Sequence, residues 1–134
     1  MTKVTDVEGI GQVYAAKLNA AGVSSEEELL DRCTTPKSRR ALIEATGISE
    51  KLILKWANRA DLARVKGIGS EYADLLEVAG VDTVPELAQR NPQNLHDKMV
   101  EVNAAKSLVR QVPAVSQVEN WVAQAKELPR ILTY

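Results

Sequence analysis

The stretch Val65-Lys66-Gly67-Ile68-Gly69-Ser70-Glu71-Tyr72-Ala73 restates Val7-Glu8-Gly9-Ile10-Gly11-Gln12-Val13-Tyr14-Ala15 at an offset of 58 residues. The match extends through Leu18/Leu76, Ala21/Ala79, Gly22/Gly80, Val23/Val81, Glu28/Glu86 and Leu29/Leu87. Between 7–30 and 65–88, 12 of 24 positions are identical. A repeat of this period means that one structural unit is built twice. Any fold for this chain must therefore give two Gly-Ile-Gly turns equivalent settings.

The residues around the turns predict helices. At most one helical turn is expected before Asp6. A helix from about Gly11 to Ala21 turns Ala15 and Leu18 inward, and Gly22 supplies a left-handed stop. Ser25-Glu26-Glu27-Glu28 reads as a capping box, and Thr83-Val84-Pro85-Glu86 stands at the same repeat position with proline in the first turn. Thr35-Pro36 opens a helix ending at Gly47; Ser49 caps another, from about Glu50 to Arg64, with Leu52, Trp56, Ala60 and Ala63 on one face. Helices at about 69–79 and 84–90 echo the first unit, and Asn91-Pro92 starts the next. Asn103 is expected to cap a helix that stops before Pro113. Ser116-Gln117-Val118-Glu119 reads as a third capping box, opening a last helix with Trp121, Ala125 and Leu128 on one face and leaving a tail from Arg130 to Tyr134. No segment sustains period-2 alternation. The expectation is an all-α chain in which two repeats, 1–61 and 62–134, pack as one compact helical domain.

Composition agrees with helices. Apolar residues make up 45% of the 134, but with no Phe, two Trp and three Tyr the core falls mainly to Ala, Leu and Val, which suits close helix contacts. The one cysteine, Cys33, excludes an internal disulfide and points to a reducing, cytoplasmic compartment. No apolar run is long enough to span a membrane, so no membrane association is expected. His96 has no ligand-spaced partner, and neither a metal nor a cofactor is expected. Tyr14, Tyr72, Trp56 and Trp121 read first as packing residues. A net charge of −1 hides blocks: residues 36–66 carry eight basic and three acidic groups, and residues 67–101 carry two and seven.

Leu62-x-x-Val65-Lys66-Gly67-Ile68-Gly69-x-x-x-Ala73-x-x-Leu76 resembles the helix-hairpin-helix motif, and Val4-x-x-Val7-Glu8-Gly9-Ile10-Gly11-x-x-x-Ala15-x-x-Leu18 has the same form. Thr46–Ser49, Asn58–Leu62 and the ending Leu128–Tyr134 extend the likeness over nearly the whole chain, to a bacterial family of tandem helix-hairpin-helix proteins of unknown function. The motif resemblance implies sequence-independent DNA binding, with backbone N–H groups at a helix start holding a phosphate. Carried onto this chain, that gives Arg64, Lys66, Gly67, Ile68, Gly69 and Ser70, then Gly9, Ile10 and Gly11, with Lys55 and Arg59 on the helix leading to the second turn. The second turn suits the task better. Glu8 stands in the first copy where Lys66 stands in the second, and a carboxylate about 6 Å from a phosphate costs about 0.7 kcal/mol even at the dielectric of water. Lys17 and the Lys37/Arg39/Arg40 cluster are candidate compensating charges.

An enzyme is not expected. Glycosylases built on this motif place a catalytic lysine two residues after its second glycine, where this chain has Val13 and Glu71, and an aspartate further on, where it has Arg90. The alternative is a protein-interaction or scaffolding module. Its turns would be corners only, and its opposite charge blocks would meet a partner protein or a second copy.

Overall fold

The computed structural model describes residues 3–7 and 10–134, without the side chains of Asp6 and Ser70. Among these residues it is all-helical: a short 3-10 turn, Val4–Asp6, and eight α-helices, with no β-strand. The helices are α1 (Gln12–Ala20), α2 (Glu26–Arg32), α3 (Pro36–Thr46), α4 (Glu50–Leu62), α5 (Ser70–Val78), α6 (Val84–Ala88), α7 (Pro92–Lys106) and α8 (Val115–Glu127).

Helix starts follow local chemistry. Ser25 Oγ accepts from Glu28 N (3.2 Å), Thr35 Oγ1 from Ser38 N (3.1 Å), Ser49 Oγ from Leu52 N (3.3 Å), Thr83 Oγ1 from Glu86 N (3.4 Å) and Asn91 Oδ1 from Asn94 N (3.1 Å). Each satisfies a donor that the helix itself leaves free. Two expected caps are corrected. Asn103 lies inside α7, where its amide receives Val109 N (2.9 Å) and donates to Val109 O (3.1 Å), so it pins the loop beyond the helix. Helix α8 begins at Val115, before Ser116, and Gln117 Oε1 receives the Ala114 N–H at 2.9 Å. Glycines Gly22 and Gly47 sit in the left-handed region at φ +88° and +72°, where a Cβ is disfavoured.

The chain divides into two compact units: residues 1–61 with 131–134, and residues 62–130. The tail therefore belongs to the first unit, although the sequence division left it with the second. Leu132 is 2% exposed among the first unit's core residues, and Thr133 donates to Thr34 O from its backbone N–H (2.8 Å) and its hydroxyl (3.0 Å). Tyr134 Oη donates to Asn58 Oδ1 at 2.6 Å while its ring lies 5.3 Å from the Arg39 guanidinium.

Each unit buries its own core. The first gathers Val4, Val7, Ile10, Leu18, Leu29, Leu42, Ile53 and Trp56; the second gathers Leu62, Val65, Ile68, Leu76, Leu87, Met99, Val118 and Trp121. Equivalent residues find equivalent surroundings. Tyr14 meets Trp56 with ring centroids 5.3 Å apart, and Tyr72 meets Trp121 at the same distance. Arg32 Nη1 donates to Ala21 O (3.0 Å) near the stop of α1, and Arg90 Nη1 lies near Gly80 at the stop of α5. Ala63, expected on the inner face of the helix from Glu50, is exposed, because α4 ends at Leu62.

Element lengths later in the second unit show why the 58-residue offset fades. Helix α7 is 15 residues long against 11 for α3, and the loop before α8 is longer than the one before α4. Trp56 and Trp121 are consequently 65 positions apart.

Candidate functional site

The turn Gly67-Ile68-Gly69 joins the end of α4 to the start of α5. Val65 N bonds Leu62 O (3.0 Å) and Ile68 N bonds Val65 O (3.3 Å), so the chain winds tightly after the helix. Ile68 points inward and is 5% exposed. Gly67 has φ +99°, and a Cβ there would lie 2.8 Å from Trp121 Nε1. Architecture requires that glycine.

Gly69 is different. It caps α5 with φ −92° and ψ −174°, a conformation open to any residue, and makes no side-chain cap. A Cβ there would meet nothing within 4 Å. Ala73 N bonds Gly69 O at 2.9 Å, opening the helix, while the earlier N–H groups of its first turn have no partner within the helix. The helix dipole adds positive potential at this end. Gly11 repeats the arrangement at the start of α1, with φ −72° and open space about its Cα.

Helix α8 backs the second turn. Gln124 Oε1 accepts from Lys66 N (2.9 Å) and its Nε2 donates to Lys66 O (3.1 Å) and to Asn120 Oδ1 (2.7 Å). Arg64 Nη2 donates to Pro129 O at 2.6 Å, just beyond α8. The pattern of the turn itself did not reveal these contacts. A sequence signal existed: each unit has a tyrosine three residues after the second glycine and a single tryptophan on a later helix.

The candidate residues separate into groups. Lys66, Gly67 and Gly69 are exposed together at the second turn, Arg64 is half-buried and tied to Pro129, and Ile68 is in the core. Ser70 begins α5, but its hydroxyl lies outside the described atoms. Lys55, Arg59, Gly11 and Ile10 belong to the first unit; Gly9 and Glu8 lie outside the described residues. Lys55 is exposed, whereas Arg59 is 9% exposed and has a partner of its own, which removes it from the surface expected to meet a phosphate. Of the Lys37/Arg39/Arg40 cluster, Arg39 is buried and donates to Cys33 O at 2.8 Å, so that cluster is not a uniform charged face. Ile10 is 4% exposed.

Two capping carboxylates titrate in opposite directions. The Ser24 hydroxyl, donating at 2.6 Å, lowers the pKa of Glu28. Glu86 is raised to about 7, first by its hydrogen bond with Asp82, which stands where the first unit has Ser24, then by burial and the charge of Asp82. Burial pushes the Cys33 thiol up to about 11, so it is a core group and a poor nucleophile. Among the described residues no group of three His, Cys, Asp or Glu could hold a metal, and no helix is long and apolar enough to cross a membrane. His96 Nδ1 is buried without a hydrogen bond, 3.9 Å from Asp97.

These features define an all-helical protein with an exposed, glycine-capped helix start beside a lysine. The chain belongs to the family described as Domain of unknown function (DUF4332), whose model matches residues 8–128. No solved structure matches it.

Proposed function

We propose that the two units are helix-hairpin-helix repeats and that the protein is a non-enzymatic module binding DNA without regard to sequence, chiefly through the second turn. The observation that carries this reading is Gly69: the fold asks for glycine there neither by backbone angle nor by space, yet the position faces solvent at a helix start. Absence of a side chain has a use there if a polymer backbone must approach closely. A phosphate at that point would accept from the first N–H groups of α5, and Lys66 would supply the counter-charge. Contacts of this kind read charge and shape, not bases. Glu71 in the first turn of α5 opposes the anion and limits affinity. A cytoplasmic setting fits the buried, free Cys33.

The test is a fluorescence titration with single- and double-stranded oligonucleotides over a salt series. We expect affinity that is indifferent to base sequence and falls steeply with salt. Replacing Arg64 and Lys66 together with Glu should abolish binding while helicity is kept; an unchanged binding curve would falsify the reading.

A second reading, a protein-interaction module, draws on one observation. Val13, two residues beyond Gly11, is 69% exposed, an apolar group at the turn where the second unit has Glu71. The charge blocks support it less, since nine basic residues face nine acidic ones in the first unit and eight face nine in the second. Light scattering at low and high salt tests self-association; a monomer at both counts against it.

A further inference from the structure

We propose that Gln124 is a positioning residue of the second turn, acting on the phosphate contact through the backbone of Lys66. This rests on the nucleic-acid reading above. Its amide takes the Lys66 N–H at 2.9 Å and gives a hydrogen bond to the Lys66 carbonyl at 3.1 Å, so one side chain satisfies both polar groups of a single loop residue. Asn120, one turn earlier on α8, receives the same Nε2 at 2.7 Å and fixes which way the amide faces. Trp121 stands against Gly67, and Arg64 is bonded to Pro129. Positions 64, 66 and 67 are thus all held from the α8 side, while the Lys66 side chain itself stays exposed.

The chemistry is selective. A side chain must present one acceptor and one donor at amide spacing, which only Gln and Asn do, and Asn is one methylene shorter. Glutamate would keep the bond from Lys66 N and lose the donor to Lys66 O and Asn120; leucine would lose everything. Loop backbones ordinarily sample many conformations, and ordering one on binding weakens the complex. A turn whose lysine peptide is already clasped starts from the bound geometry. Lysine is a flexible point charge, so fixing its backbone narrows the region its ammonium can reach.

The experiment uses the full chain and a labelled double-stranded oligonucleotide, with anisotropy read across a salt series for wild type, Gln124→Leu, Lys66→Ala and the double variant. Far-UV circular dichroism checks each fold, and Gln124→Glu replaces the leucine variant if that one does not fold. We expect Gln124→Leu to weaken binding about fivefold, as having to order the backbone of about one loop residue on binding implies. In the Lys66→Ala background the same change should have no further effect. Amide exchange at Lys66, slow in wild type, should become fast in Gln124→Leu. Losses that multiply in the double variant, or a folded Gln124→Leu protein that binds like wild type, overturn the inference while leaving the nucleic-acid reading intact. A wild-type protein that binds no oligonucleotide removes that reading, and the inference with it.

Discussion

Setting the two turns side by side separates what holds a corner together from what a corner presents. Inside, they agree: Ile10 and Ile68 are buried, Ala15 and Ala73 are buried, and Tyr14 and Tyr72 each meet their unit's tryptophan. Outside, they part. The residues after the second glycine are Gln12-Val13 in one and Ser70-Glu71 in the other, and Lys66 has Glu8 as its counterpart. Even the glycines divide by role, since Gly67 answers to Trp121 and its own backbone angle while Gly69 and Gly11 answer to nothing within the fold. Within five residues, constraint from the core and freedom at the surface alternate.

The largest expected effect lies in what the units share. Trp121→Ala should destabilise the second unit by about 3–5 kcal/mol, and Trp56→Ala the first by a similar amount, as for other buried aromatics. Each unit holds a single tryptophan, so in denaturant titrations the remaining indole of each variant reports the unit left intact. Equal loss in both units from either change would contradict two separate cores.

Next come the glycines. Gly67→Ala should cost about 2–3 kcal/mol, from a strained backbone angle and displacement of the indole. By contrast, Gly69→Ser should stabilise the free protein by about 0.5 kcal/mol through a new helix cap, yet weaken oligonucleotide binding. Thermal melts with and without DNA separate the two signs. If the serine variant binds as well as wild type, glycine at position 69 has no contact role.

Charge exchange sharpens the comparison further. Lys66→Glu should lower the slope of log affinity against log salt by about 0.9, the value for one phosphate contact, and Glu8→Lys should raise affinity if the first turn can be recruited. No response to either places the contact elsewhere.

The smallest effect concerns the caps. Glu86 holds its proton more tightly in the folded chain than in the unfolded one, so its contribution to stability is full below the ordinary value of 4.5 and is lost as pH rises through about 7. For Glu28, whose pKa is lowered, the contribution is present above the ordinary value and lost as pH falls through the folded one. Glu86→Gln or Asp82→Ser should therefore flatten the pH dependence of the second unit between about 4.5 and 7, followed by Trp121 fluorescence in denaturant. An unaltered slope would mean that the carboxyl pair is not the cause.

Much of this was legible because local chemistry acted alone. Ser25, Thr35, Thr83 and Asn91 cap the helices their sequence neighbours announce, and Gly47 ends one where expected. Sequence failed where a residue's partner was remote. Asn103 has cap chemistry but uses it on a loop, and Arg59 has the charge of a binding residue but is buried. Gln124 carried no local signal, because the lengthened α7 and its following loop moved α8 out of register with the repeat. Isolated polar groups declare what they can bond, not which bond the fold will choose.

The placing of residues 131–134 in the first unit has a consequence for how the chain comes into being. Leu132 lies in the first unit's core, and Thr133 and Tyr134 bond to Thr34 and Asn58 across 99 and 76 positions of sequence. During synthesis, Leu132 can join the first unit's core only after residues 62–130, the whole of the second unit, have been made. Order of birth and order of completion are thus reversed.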